Sequence, residues 1–203
     1  MTPVSPLGPR ELRGHFVALE PLEERHHAAL LEAGKDADIW RYISVDPKLG
    51  FAGRLPYLVK ENAKGAMFTF AVRRLSDNAM VGSTSYLAIS ELDAKVEIGW
   101  TWYVESARGG PVNPECKYLL MQNAFGANYH RVEFKTDVNN AQSRAALRKI
   151  GATEEGALRE HMWMAQGYFR SSVYFSVLAN EWPGVKAQLE KRLAAFPHRT
   201  AGP

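Results

Sequence analysis

The chain has one cysteine, Cys116, among 203 residues. A lone thiol excludes an internal disulfide framework and argues against a cysteine-built metal cluster. No apolar run approaches about 18 residues, so no transmembrane helix is expected. Residues 1–10 carry prolines where a signal peptide would carry an apolar core, so the expected compartment is the cytoplasm. Repeats and low-complexity stretches are missing as well. What remains is ordinary: 46% hydrophobic and 23% charged residues. That balance excludes a disordered or collagen-like chain. A compact chain of this length buries roughly 70% of its unfolded surface, so one domain with a full core is expected. The expected organisation is a flexible arm over 1–11, a domain over 12–196 and a tail over 197–203.

The net charge of +3 invites the idea of a nucleic-acid partner. Its distribution argues otherwise. Residues 1–107 carry 12 basic and 14 acidic side chains, and residues 150–185 carry 2 and 4. The excess sits in residues 108–149, with 7 against 3, and in residues 186–203, with 4 against 1. An internal basic segment of this kind suits a local anion site better than a basic surface.

Hydrophobic periodicity orders the chain. Residues 15–19 read as a strand, and residues 23–33 and 51–63 as helices. The period then falls to two. Strands are expected over 67–73, 79–89 and 95–104, with a turn at Ser76-Asp77-Asn78. A helix follows Pro111 and runs to about 125. Next come a strand over 131–136, a helix over 140–150, a strand pair over 155–164 and 168–178, and a closing helix over 181–195. This predicts a mixed α/β single domain. The strand–helix–strand unit over 95–136 is a candidate parallel crossover, where a phosphate-bearing ligand fits at the helix N-terminus.

Two segments carry chemistry. Arg108-Gly109-Gly110-Pro111-Val112-Asn113-Pro114-Glu115 follows a strand and opens a helix. Its glycines let backbone N–H groups approach an anion. Asn113 reads as the N-cap and Pro114 as the first helical residue. Arg108 and Lys117 add full charges, which makes a pyrophosphate cradle. The alternative is a capped helix after a tight turn. In Asn139-Asn140-Ala141-Gln142-Ser143-Arg144, Asn140 caps the next helix and places Ser143 at its third position. Arg144 either reaches phosphates or belongs to a solvated face.

Glu97-Ile98-Gly99-Trp100-Thr101-Trp102-Tyr103, the loop from Arg108, Arg131-Val132-Glu133-Phe134-Lys135-Thr136-Asp137, and Asn140-x-x-Ser143 recur in order. With Leu147-x-x-Ile150-Gly151-Ala152, they resemble the acetyl-CoA-binding core of the Gcn5-related N-acetyltransferases. Leu19-Glu20-Pro21-Leu22 and Glu181-Trp182-Pro183-Gly184-Val185-Lys186 are similar to the bacterial branch that acetylates ribosomal-protein N-termini. The resemblance covers about residues 12–193. It implies a mixed, mostly antiparallel sheet splayed between its central parallel strands, flanked by helices, with acetyl-CoA in the splay and no metal. Backbone around Trp102 and Val104 would meet the pantetheine. Arg108, Gly109, Gly110, Val112, Asn113 and Lys117 would hold the pyrophosphate. Thr136, Asp137, Asn140, Ser143 and Arg144 would line the far side. Pro111 departs from the family's glycine and offers no N–H. Leu147 replaces a tyrosine that many members carry, and the resemblance moves the thiolate-assisting role to Ser143.

The implied reaction is direct attack of an amine on the acetyl thioester, with Glu97 as candidate base and an amine acceptor as partner. Of the neighbours Glu160 and His161, only one can face inward, because strand side chains alternate. Cys116 reads as a packing residue. Trp40, Tyr42, Trp100, Trp102, Trp163, Tyr168 and Phe169 are either core or walls of an acceptor cleft. A protein or peptide N-terminus is the expected acceptor. Alternatives are a small amine, such as an aminoglycoside or polyamine, and a CoA-binding regulatory module without catalysis. Neither a nucleic acid nor a membrane is expected as partner. A homodimer through the terminal strands is an open expectation.

Overall fold

A computed structural model describes residues 3–197. Eight strands form one sheet in the order β1-β2-β3-β4-β5-β6-β8-β7. The first half contains β1 (Leu12–Arg13), β2 (Val17–Pro21), α1 (Glu24–Ala33), α2 (Gly50–Ala63), β3 (Phe68–Arg74) and β4 (Met80–Ser90). The second half contains β5 (Lys95–Tyr103), α3 (Val112–Gly126), β6 (Arg131–Asp137), α4 (Ala141–Lys149), β7 (Thr153–Met164), β8 (Tyr168–Leu178) and α5 (Trp182–Ala194). All neighbours pair antiparallel except β5 and β6, which are parallel and joined through α3.

The expected elements are present, with ends moved by a residue or two. The two-residue β1 is an addition. The turn at residues 76–78 forms with Asn78 at φ 57, and Gly167 turns the last hairpin at φ 86. Two cores lie on opposite faces of the sheet. One joins Val96, Ile98, Val132, Phe134 and Phe175 to Cys116, Leu120 and Met121 of α3. The other joins Leu30, Trp40, Phe51, Leu58 and Trp102 beneath α1 and α2. Each fully buried side chain of this size contributes roughly 1.5–3 kcal/mol.

Residues 3–11, read from sequence as an arm, lie against α3. Leu7 is buried in the first core, and the Ser5 amide donates to the Ala127 carbonyl at 2.9 Å. Arg10 donates to Asn123 Oδ1. Of the expected tail, only Pro197 falls within the described residues.

Buried carboxylates fix the N-terminal half. Glu115 of α3 is 2% exposed and accepts from the amides of His15 (2.8 Å), Phe16 (2.7 Å) and Val17 (2.7 Å). Gly14 is required there, because a Cβ would run into the Glu115 carboxylate. Glu20, in Leu19-Glu20-Pro21-Leu22, takes His26 Nε2 at 2.9 Å and pairs with Arg73. His26 Nδ1 accepts the Glu23 amide at 3.0 Å, so Nε2 carries the proton and the ring caps α1 as a neutral imidazole. Burial lowers its pKa, in keeping with that state.

Glu115→Ala leaves three amides without their acceptor. It should cost on the order of 3 kcal/mol of unfolding free energy. Urea denaturation measures this, and an unchanged midpoint would mean that Glu115 anchors nothing.

Candidate active site

The pairing of β5 with β6 stops early. Only Lys95, Val96 and Glu97 match Arg131, Val132 and Glu133. Beyond them β5 runs on to Tyr103 and β6 to Asp137, and the strands part. The cause is visible in the register with β4. Ser85 faces Gly99 but Ser83 faces Trp102, so β5 carries one extra residue. Trp100 adopts φ 49, a conformation costly for a bulky side chain. Such a bulge bends its strand and increases the twist. The guanidinium of Arg54, from α2, lies over the Trp100 ring and 4.0 Å from the Tyr57 ring centre. Burial pushes its pKa down to about 10.

The bulge also reverses which face each residue meets. Glu97 precedes it, on the face opposite Val96 and Ile98. Beyond it, Trp102 enters the α2 core with Trp40 and Phe51, while Tyr103 enters the α3 core. Thr101 turns to the α3 face, where its Oγ1 meets Thr84 Oγ1 at 2.8 Å. This corrects the assignment of Trp102 and Val104 as backbone donors to a ligand. The Trp102 carbonyl lies against Gly82 of β4, so close that a Cβ there would collide with it. The Val104 amide donates to Val81 at 2.9 Å, and its carbonyl accepts from Ala107 at 3.1 Å. The backbone edge of β5 that faces the wedge therefore belongs to Thr101 and Tyr103.

The glycine loop stands at the C-terminal end of β5. Gly109 has φ 75, a conformation that glycine adopts without strain. Nothing lies within 4 Å of where a Cβ would stand on Gly109 or Gly110, so a ligand can approach the backbone. Arg108 Nε donates to the Tyr103 carbonyl at 3.1 Å. The helix begins earlier than expected. Pro111, at φ −75 and ψ −16, is the N-cap, and its carbonyl accepts the Glu115 amide at 3.0 Å. Asn113 is therefore a first-turn residue and not the cap. The proline ring already holds φ in the helical range, so α3 starts at Val112. The first-turn amides have no intrahelical acceptor and face an anion's approach.

Across the wedge, Thr136 ends β6 at 5% exposure. Asn140 caps α4 as expected, its Oδ1 accepting the Ser143 amide at 2.9 Å. Ser143 is half-buried on the first turn, and Leu147, one turn on, is buried. Arg144 is not a spare cation. Its Nη1 donates to the Val138 carbonyl at 3.2 Å, and its Nη2 pairs with Glu154 at 3.2 Å, tying α4 to β7.

Lys117 is also placed differently from expectation. It is 5% exposed, and its Nζ donates to Thr101 Oγ1 at 2.8 Å. It therefore offers no solvent-facing charge to the loop. Burial pushes its pKa down to about 8. Cys116, beside it, is fully buried and its thiol is pushed up to about 12. That matches a packing residue.

The opposite face carries a polar cluster. Glu97, 5% exposed, holds Lys135 Nζ at 3.0 Å. His161 Nδ1 meets Ser172 Oγ at 3.1 Å and Nε2 meets Tyr174 Oη at 3.3 Å. Glu160, at φ 48 in a bulge of β7, is exposed, so His161 is the neighbour that faces inward. Burial, then Lys135 and Arg170, lower the His161 pKa and favour the neutral ring. Asp137 accepts from Tyr168 Oη at 2.7 Å and from the Asn139 amide at 2.8 Å. A cleft of ≈ 560 Å³ opens beside them, lined by Asp38, Arg41, Tyr42, Asn139, Gln166 and Tyr168. Gln166 closes one end, its Nε2 reaching the carbonyls of Trp40 and Ile43 at 2.8 Å. Sequence reasoning missed Gln166 and Arg54, since neither side chain carries a motif. Trp163 and Phe169 form an exposed edge-to-face pair on the last hairpin.

Among the described residues, no group of three or more His, Cys, Asp or Glu side chains is placed to hold a metal ion, and no helix is long and apolar enough to cross a membrane.

A mixed sheet parted at its one parallel pair, with a glycine loop and helix N-terminus at the opening, is the architecture of an acyl-CoA N-acyltransferase. Residues 17–153 match the family model described as an acetyltransferase (GNAT) domain. A GCN5-related N-acetyltransferase from Brucella melitensis superposes with a TM-score of 0.88 at 28% identity, over 96% of this chain and 90% of that one. An acetyltransferase structure from T. thermophilus gives 0.82 at 37% identity, over 92% and 98%. YdaF of Bacillus subtilis (strain 168), provisionally named a ribosomal N-acetyltransferase, is 31% identical over 113 residues. That match spans 55% of this chain and 61% of YdaF. The chain belongs to the GNAT family of acetyltransferases, whose cosubstrate is acetyl-CoA.

The buried ammonium of Lys117 has a stability consequence. Its folded pKa lies below that of an unfolded lysine, about 10.4. Between about 8 and that value the unfolded chain holds more protons, so this residue's share of stability rises with pH. Lys117→Met should raise the urea midpoint at pH 7 and flatten its rise toward pH 10. A lower midpoint at pH 7 would contradict the account.

Proposed function

We propose that this protein transfers the acetyl group of acetyl-CoA directly to the N-terminal amine of a protein or peptide. The parting of β5 and β6 after Glu97 and Glu133 carries the reading. Buried backbone groups need partners. The edges of Thr101, Tyr103 and β6 beyond Glu133 can bond the amides of a pantetheine arm laid between the strands. Arg108, Gly109, Gly110, Val112 and Asn113, with the N-terminus of α3, suit the pyrophosphate. Thr136, Asn140 and Ser143 suit the other side of the arm. YdaF's provisional name and the cleft by Tyr42 and Tyr168 support a peptide acceptor.

Acetyl-CoA supplies the activated acetyl group, and the chain's residues supply position and proton traffic. Glu97 stands where β5 and β6 part, on the acceptor face, and acts as the base that takes the amine's proton through water. Ser143, on the cosubstrate side, donates to the leaving sulfur. A second reading gives the base role to His161. Its neutral ring favours this, because Glu97 is already paired with Lys135.

Thiol release from acetyl-CoA, followed across N-terminal peptides, aminoglycosides and polyamines, tests the acceptor class. Peptides should turn over fastest, and a polyamine preference would overturn the N-terminal reading. Ser143→Ala should lower kcat about tenfold or more. Glu97→Gln should flatten the acid limb of the kcat/KM profile. If His161→Gln alone flattens that limb, His161 is the base.

A further inference from the structure

We propose that Lys117, with Thr101, forms the seat for the sulfur of the cosubstrate and holds it as a thiolate. The inference rests on the wedge being the acetyl-CoA site. It adds an anion-binding element at the thiol end, separate from the glycine loop that suits the phosphates.

Position carries the argument. The last paired residues of β5 and β6 are Glu97 and Glu133. Phe134 is the next residue on β6, and Thr101 is the first past the bulge to face α3. The Lys117 ammonium touches both, 2.8 Å from Thr101 Oγ1 and 5.6 Å from the Phe134 ring centre. It therefore stands at the closed end of the wedge, on the cosubstrate side. With phosphates at residues 108–113, an extended arm brings its sulfur toward this end.

Charge completes it. Lys117 is 95% buried by accessibility (5% exposed), and no carboxylate pairs with it among the described residues. Glu97 acts on it only from the other face of β5 and is itself paired with Lys135. Glu115, on its own helix, is engaged by the amides of residues 15–17. Cys116 stays a neutral thiol, and Thr101, Thr84 and Phe134 carry no charge. Burying an unpaired cation is unfavourable unless an anion arrives. Acetyl transfer produces one at this end, when the carbon–sulfur bond breaks and leaves its electron pair on sulfur.

Titration of CoA and of desulfo-CoA, which lacks the sulfur, separates the two ends of the ligand. With the wild-type protein, bound CoA should show ultraviolet thiolate absorbance at a pH about one unit or more below that of free CoA. Lys117→Met should abolish that shift and weaken CoA about tenfold at pH 8. It should leave desulfo-CoA affinity within about twofold. Lys117→Arg should restore part of the shift, and near-ultraviolet circular dichroism checks that each variant keeps its tertiary packing. Equal losses for CoA and desulfo-CoA, or no thiolate shift in the wild type, would overturn the inference while leaving the acetyl-CoA reading standing. If the wild type binds neither ligand, both fall.

Discussion

The parting of two parallel strands is the constraint on which this molecule depends. A continuous β5–β6 ladder would satisfy the backbone and leave no room for a cosubstrate. One inserted residue, Trp100, prevents it. The inserted residue costs about 1–2 kcal/mol in backbone conformation. The neighbourhood holds it. Trp102 locks into the α2 core just beyond, and the Arg54 guanidinium stacks on the Trp100 ring. The same inserted residue turns Thr101 toward α3 and leaves Glu97 on the opposite face. A single irregularity thus opens the wedge and separates a cosubstrate side from an acceptor side.

Buried charge marks two kinds of work here. Glu115 and Glu20 are satisfied by amides or by paired cations, and they fix α3 to β2 and α1 to β3. Lys117 is buried without such a partner. The first kind stabilises the fold, and the second weakens it. A lysine that lowers stability and points between the parted strands is a residue whose compensation comes with the ligand.

Much of the fold was legible in the sequence because hydrophobic period and cap chemistry are local. The change of period after residue 65, the turn at Asn78, the Asn140 cap and the basic segment 108–149 all follow from near neighbours. The bulge does not. It sits on a tryptophan, where nothing in composition signals a positive φ, and it shifted the ligand-facing edge from Trp102 and Val104 to Thr101 and Tyr103. The start of α3 was misplaced for a related reason. Asn113 has cap chemistry, but Pro111 is already helical two residues earlier. The destinations of Lys117 and Arg144 depend on what stands across the sheet, which spacing along one chain does not encode. The basic segment nonetheless surrounds the wedge, so the regional charge kept its meaning.

Amide hydrogen exchange with and without CoA tests the central claim most directly. If the wedge between β5 and β6 holds the cosubstrate, CoA should slow exchange at Thr101 and Tyr103, along β6 past Glu133, and at the first-turn amides of α3. Amides of β2 and β3, already paired on both sides, should not respond. Protection confined to the cleft by Tyr42 and Tyr168, with β5 and α3 unchanged, would contradict the account.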